Sequence, residues 1–255
     1  FNMELFRLLP LFFLSGAFGF SLFTHGKSKV VFVIAEREYQ TEKTLPKFAA
    51  SYLSKDFKAE FSTAPKEGLD RHQLKNAAAI SQADLLIISV RRRAFSDQTM
   101  QSIRSHIAHG KPVLGLRTAS HAFELRNDSP LEGHRDWPAW DQEVIGGNYQ
   151  GHYGKDKSCL IRKIPAAMQP SLLKQVKLPF RTPASLYRNS PLPMNSVPIL
   201  EGVLSGFPTE PVAWTHVTKS GAKVFYTSLG HVKDFENPSF IQLLQNAIRW
   251  CLKKP

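Results

Sequence analysis

His231 and Asp234 stand on a short loop between an apolar run, Lys223–Ser228, and the segment that closes the chain. An imidazole beside a carboxylate has the ingredients of an oriented proton carrier. The ring titrates near neutrality, and an acid can fix its orientation and tautomer. Three other loops carry comparable groups. Glu36, Arg37, Glu38 and Tyr39 follow Lys29–Ala35; Arg91, Arg92 and Arg93 follow Ala83–Val90; Arg117, Thr118, Ala119, Ser120 and His121 follow Pro112–Leu116. If the apolar runs are parallel strands, all four loops meet at the C-terminal edge of one sheet, where open α/β sheets bind ligands. Plainer duties are also open to these residues. Arg92 can be a solvated charge, Glu36 or Glu38 a counter-charge for the arginines, and His121 a cap at the start of its helix.

Covalent catalysis can be tested against the turn after Leu116. A nucleophile elbow places Ser or Cys at the centre of a tight strand-turn-helix, flanked by small residues. Here the run GLRTA puts Arg117 at that centre, and a guanidinium is neither a nucleophile nor a usable base. The remaining hydroxyls, Thr118 and Ser120, lack flanking glycines. Metal binding has scattered candidates, His121, His152, His216 and His231, without a ligand spacing, and neighbouring arginines oppose a cation. No GxGxxG or Walker loop supports a nucleotide, and the cofactor stays unassigned. For carbohydrate, Trp137, Trp140, Tyr149, Tyr153 and Trp214 offer flat apolar faces, with Asn148 and His152 as hydrogen-bonding partners. A tryptophan inside a strand, as Trp214 is, can equally be core.

The elements that must position these groups read as alternating strands and helices. Lys29–Ala35 and Ala83–Val90 are continuous apolar runs of the kind buried on both faces of a parallel sheet. Phe57–Ser62 and Pro112–Leu116 are further strands. Helices are expected over Glu42–Leu53 with Thr41 as cap, near His72–Ile80, over Ser96–His109 with Gly110 as its stop, and briefly from Ser120. Ser129–Gly154 is too irregular for one element. Seven of the 17 prolines lie between Pro165 and Pro198, a stretch of loops with short strands. Val197–Leu204, Val212–Thr218 and Lys223–Ser228 follow as strands, the last two joined in a hairpin at Ser220–Gly221. Asn237 as cap, Pro238 at the first position and apolar residues at helical spacing predict a closing helix to Cys251. The expected fold is α/β: an open, mainly parallel sheet with helices on both faces, an irregular insertion, and a C-terminal hairpin plus helix.

The 255 residues, 42% hydrophobic, suffice for one sizeable core. Lys and Arg exceed Asp and Glu by 33 to 21, a balance that favours anionic partners. Without any helix-turn-helix, zinc-finger or RNA-binding signature, a solvated basic surface is preferred and nucleic acid is not expected. Arg7 followed by the uncharged, largely apolar Leu8–Phe23 resembles a targeting segment. Residues 1–26 are therefore expected to be a cleaved export signal, with a retained anchor as the alternative, and 27–255 the functional domain, without a membrane span. Cys159 and Cys251 form no motif, and no disulfide is expected.

Five segments together, VVFVIAEREYQTEKTLPKFA, KPVLGLRTASHAF, PFRTPASLYRNSPL, EPVAWTH and KVFYTSLGHVKDFENPSFIQLLQNAIRW, resemble the trehalose-utilisation (ThuA-like) family over Val30 to Trp250. The resemblance implies a fold similar to class I glutamine amidotransferases, a flavodoxin-like arrangement. It places Arg117 at the amidotransferase cysteine, His231 near the triad histidine and Asp234 near the triad acid, so a glutaminase is not expected. It also implies export, to the periplasm or medium, and a link to disaccharides and their keto derivatives. Such folds commonly dimerise, so a homodimer is among the expectations. The resulting expectation is a carbohydrate-processing protein, as an enzyme a hydrolase, lyase or isomerase acting on keto-sugars. His231, Asp234 and Arg117 are its candidate catalytic residues. Glu36, Glu38, Tyr39, Arg91, Arg93, Thr118, His121, Asn148 and His152 are its candidate substrate-binding residues. The alternative is a sugar- or anion-binding module without turnover.

Overall fold

Strand β1 (Ser28–Ala35) is buried on both faces, and its side chains divide between two cores. Val30, Phe32 and Ile34 enter one, with helices α1 (Thr41–Tyr52) and α3 (Pro238–Leu252); Val31, Val33 and Ala35 enter the other, with α2 (Asp97–Ala108). This alternation along a continuous apolar strand is what a sheet covered on both faces requires. The computed structural model describes residues 26–154 and 157–253; the leader expected before them lies outside the described residues.

The remaining strands of the main sheet are β2 (Phe57–Thr63), β3 (Leu85–Val90), β4 (Val113–Leu116), β5 (Cys159–Lys163), β6 (Phe180–Thr182), β7 (Val197–Val203), β8 (Glu210–Val217) and β9 (Lys223–Thr227). They form one nine-stranded sheet in the order β2-β1-β3-β4-β9-β8-β7-β5-β6. Strands β2, β1, β3, β4 and β9 run parallel; the other four extend the sheet antiparallel. The architecture is thus the expected open α/β sheet, and its parallel half has the doubly wound order with a switch point between β1 and β3. Among the described residues, no helix is long and apolar enough to cross a membrane.

Three local expectations need correction. Helix α1 starts at Thr41 rather than after it, because the Glu36 carboxylate accepts from the Thr41 amide (3.0 Å) and hydroxyl (2.9 Å) and replaces a side-chain cap. The helix expected over His72–Ile80 is two 3-10 turns, Leu69–His72 and Ala77–Gln82. Between them Lys75 pairs with Thr63 like an edge strand, and His72 is turned inward to accept from the Ala94 amide at 3.1 Å. Strand β5, unforeseen between the irregular insertion and the proline-rich stretch, pairs with β7 and carries the antiparallel extension.

Candidate active site

The turn after β4 has elbow geometry with arginine at its centre. Arg117 adopts φ 43°, a left-handed conformation costly for a side-chain-bearing residue, and opens a 3-10 turn, Arg117–His121. Small neighbours make room for it. A Cβ on Gly115 would lie 2.9 Å from both Ile145 and Tyr226, and Ala119 closes the other side. Gly230, at φ 117°, brings the β9 loop against Arg117; an added Cβ there would lie 3.7 Å from that of Arg117. The Tyr226 hydroxyl donates to the Arg117 carbonyl at 2.6 Å and pins the turn from below.

The Arg117 side chain is buried; neutral groups hold its two terminal nitrogens, while its Nε has no hydrogen-bond partner among the described residues. One terminal nitrogen donates to the Ser228 carbonyl at 2.6 Å and the other to the Ser185 hydroxyl at 3.0 Å. The guanidinium carbon lies 4.3 Å from the centre of the Tyr39 ring and 4.6 Å from that of Tyr187. Desolvated cation–π contacts of this kind contribute on the order of 2 kcal/mol. Arg117 is therefore the floor of the site, sealed under tyrosines, rather than an open clamp for a carbonyl.

His231 and Asp234 come together, but not as ring and orienting acid. Asp234 is buried, and its Oδ2 accepts from the amides of Gly230 and His231, each at 2.9 Å. Its Oδ1 has no partner among the described residues. The carboxylate thus fixes the loop backbone, and the His231 Nδ1 accepts from the Lys233 amide at 3.2 Å. With Nδ1 acting as acceptor, the neutral ring carries its proton on Nε2. Burial, then the charges of Arg117 and Lys233 against the opposing pull of Asp234, hold His231 below its ordinary 6.5. The half-buried ring stands edge-on to Tyr39, 6.1 Å between centres.

Two more histidines join them, His121 from the turn after β4 and His152 from the irregular insertion. His121 is buried and stacks on Tyr149 at 4.4 Å. Burial and then Arg92, Arg91, Arg126 and Arg117 hold it far below 6.5. His152 is exposed and also lowered, by desolvation and by Arg117, with Glu38 opposing. Glu38 pairs with Arg91 at 3.1 Å.

Several candidates serve the scaffold instead. Both Glu36 oxygens are taken by the amides of Glu38, Tyr39 and Thr41 and by the Thr41 hydroxyl, so Glu36 shapes the β1 loop and does not pair with an arginine. Arg93 is buried and donates to the carbonyls of Arg91 and Lys66. Asn148 is tied to the Pro191 carbonyl at 3.0 Å. Thr118 is buried, with a hydroxyl that has no partner among the described residues. The tryptophans are core: Trp140 and Trp214 are fully buried and donate to the carbonyls of Ala119 and Ile145, while Arg104 covers Trp137 at 3.7 Å. Both cysteines are free and buried.

Sequence reading missed Ser185 and Tyr187, which complete the seal over Arg117, although both lie in PFRTPASLYRNSPL. It also missed Asp141, whose Oδ2 accepts from the Tyr149 amide at 2.7 Å and whose burial pushes it up to about 7. Among the described residues, no group of three or more His, Cys, Asp or Glu side chains is placed to hold a metal ion.

The family model for ThuA, described as trehalose utilisation, matches residues 29–251. The chain belongs to the ThuA family. Membership gives it a carbohydrate-related role. The search of curated proteins finds no match. Among solved structures, a ThuA-like protein from Bacteroides uniformis superposes with a TM-score of 0.63 at 14% identity, covering 89% of this chain and 92% of that one. A ThuA-like protein from Parabacteroides merdae gives 0.59 at 16%, covering 89% and 91%. A differently named protein, the IFT52 N-terminal domain, gives 0.53 at 13%, covering 89% and 98%. At such identities the likeness shows a shared fold, and a shared fold does not fix a reaction. For this ThuA-family chain the site's own chemistry must carry the rest.

Proposed function

We propose that this ThuA-family protein processes oxidised (keto) sugars or glycosides at the C-terminal edge of the sheet, and that it does so outside the cytoplasm. The observation that supports this reading is the set of neutral imidazoles, His121, His152 and His231, around the buried Arg117 cation. Neutral rings suit hydrogen bonding to hydroxyls and carbonyls, and Tyr39 and Tyr149 offer partly exposed rings for sugar faces.

In this mechanism the His231 Nε2–H donates to the ketone oxygen, much as a neutral imidazole can act as an electrophile. His152, neutral and exposed, removes the proton on the carbon beside the ketone. The electron pair moves onto the carbonyl oxygen to give an enediolate, whose oxygen the His231 Nε2–H stabilises. Isomerisation follows when the neighbouring hydroxyl passes its proton to that oxygen and His152 returns its proton to the former carbonyl carbon. Expelling the glycosidic oxygen, which takes up a proton, eliminates the substituent. Asp234 supports the reaction by holding the loop that carries His231.

A binding module without turnover is the second reading. It is favoured by the sealed guanidinium and by an Asp234 that does not touch the imidazole. Incubating the protein with 3-keto disaccharides and their reduced parents, followed by proton NMR with and without divalent metal, separates the two. Product from the keto-sugar alone supports the enzyme. Saturable line broadening without product moves the protein to the binding class, and the absence of both effects removes the sugar reading.

A further inference from the structure

A cavity of about 460 Å³ opens at the C-terminal ends of β2, β1 and β3, across the sheet's switch point from the Arg117 turn. Seven cationic side chains line it against two carboxylates, Glu67 and Asp128. The cations come from separate elements: Arg37 after β1, Lys66 and Arg71 after β2, Arg91 and Arg92 after β3, and Arg126 beyond the Arg117–His121 turn. Some are neutralised. Lys66 pairs with Glu42 at 2.7 Å, Arg71 with Asp128 at 3.1 Å, Arg91 with Glu38 at 3.1 Å, and Arg92 with Glu124 at 3.4 Å. Arg37 and Arg126 are exposed, and neither has a carboxylate within 4.0 Å among the described residues.

Beneath them, buried Arg93 lines the same cavity with its Nε unpartnered among the described residues. Burial, then Arg71, Arg37 and Arg91, with Glu36 opposing, push it down to about 10. Burial and then Arg126 push Arg92 down as well, with Glu124 opposing. Like charges converging from four loops repel one another, and a solvated surface would let them spread. A bound anion removes that repulsion.

We propose that this cavity is an oxyanion site that takes a phosphate or sulfate group, free or as an ester on a sugar. A tetrahedral oxyanion offers at least three acceptors and can be shared among guanidinium forks arriving from different directions; a carboxylate has only two oxygens for them. The switch point between β1 and β3 is also where doubly wound sheets receive ligands. The site is independent of the keto-sugar chemistry, although Arg91 and Glu38 join the two.

Calorimetric titration of the protein with inorganic phosphate, sulfate, glucose 6-phosphate and gluconate, at matched ionic strength, tests it. Saturable binding of phosphate or sulfate is expected, weakened at least tenfold in the double variant Arg37→Gln/Arg126→Gln. Both positions are exposed, so the variant should keep its melting temperature in phosphate-free buffer. Tighter binding of glucose 6-phosphate than of phosphate assigns the site to an ester; the reverse assigns it to the free ion. Absence of saturable binding, equal binding of gluconate, or unchanged affinity in the double variant overturns the proposal and leaves a solvated basic surface.

Discussion

The two halves of the C-terminal edge treat positive charge in opposite ways. Under β4 and β9, one cation, Arg117, is buried, with both terminal nitrogens engaged by a carbonyl and a hydroxyl, two tyrosine rings against it, and no carboxylate on it among the described residues. Over β1 and β3, seven cations crowd an open cavity, and Arg37 and Arg126 stay unpaired among the described residues. A cation satisfied by neutral groups is a structural fixture whose field reaches its neighbours. Cations that outnumber their carboxylates in an open cavity are an invitation to an anion. Charge count alone does not separate the two cases; burial and partner type do.

The sharpest way to break this contrast is to remove the sealed cation. Arg117→Met leaves the Ser228 carbonyl unpaired and the tyrosines without their partner, and should cost about 2–4 kcal/mol in urea denaturation. Arg37→Gln/Arg126→Gln should change stability by less than about 0.5 kcal/mol in the same assay. Equal losses would erase the distinction.

Acid should report the cost of keeping histidines neutral. Burial pushes His106 down to about 4, with its Nε2 donating to the Pro112 carbonyl and its Nδ1 unpartnered. The unfolded chain takes up the proton first, near 6.5. Stability is therefore complete above that pH and falls as pH drops toward 4, by on the order of 2–3 kcal/mol from His106. Buried His121 and His72 are lowered too and add to the loss, while Asp141, pushed up to about 7, takes up its proton more readily in the folded chain and offsets part of it. Urea titrations at pH 7 and pH 4.5 check it; stability independent of pH would contradict it.

Packing around the elbow should give an intermediate effect. Gly115→Ala forces a methyl against Ile145 and Tyr226 and should cost about 1–3 kcal/mol of stability by overpacking. Asp234→Ala should cost about 1–2 kcal/mol, because the amides of Gly230 and His231 lose their acceptor. His231→Ala should leave the melting temperature nearly unchanged while abolishing turnover, which keeps the loop's structural acid apart from its chemical group.

Much of this was legible in the residues. β1 and β3 announce themselves as continuous apolar runs because both faces are covered. α3 does so because Asn237 caps it and Pro238 occupies a position with no amide to lose. GLRTA identified the elbow and its unreactive centre. What could not be read depends on contacts distant in sequence. The Arg117 seal comes from Ser185 and Tyr187, in a proline-rich stretch without periodicity. The start of α1 is set by a carboxylate five residues upstream. Asp234 and His231 were correctly neighbours, but spacing cannot say whether an acid bonds a ring or the backbone beside it.

The most direct test of proton removal beside a ketone is isotope exchange. A 3-keto disaccharide incubated with the protein in deuterated buffer should lose, by proton NMR, the signal on the carbon adjacent to the ketone faster than in buffer alone. His231→Ala should return that rate to the buffer value. Exchange no faster than buffer with the wild-type protein would contradict acid–base processing at this site.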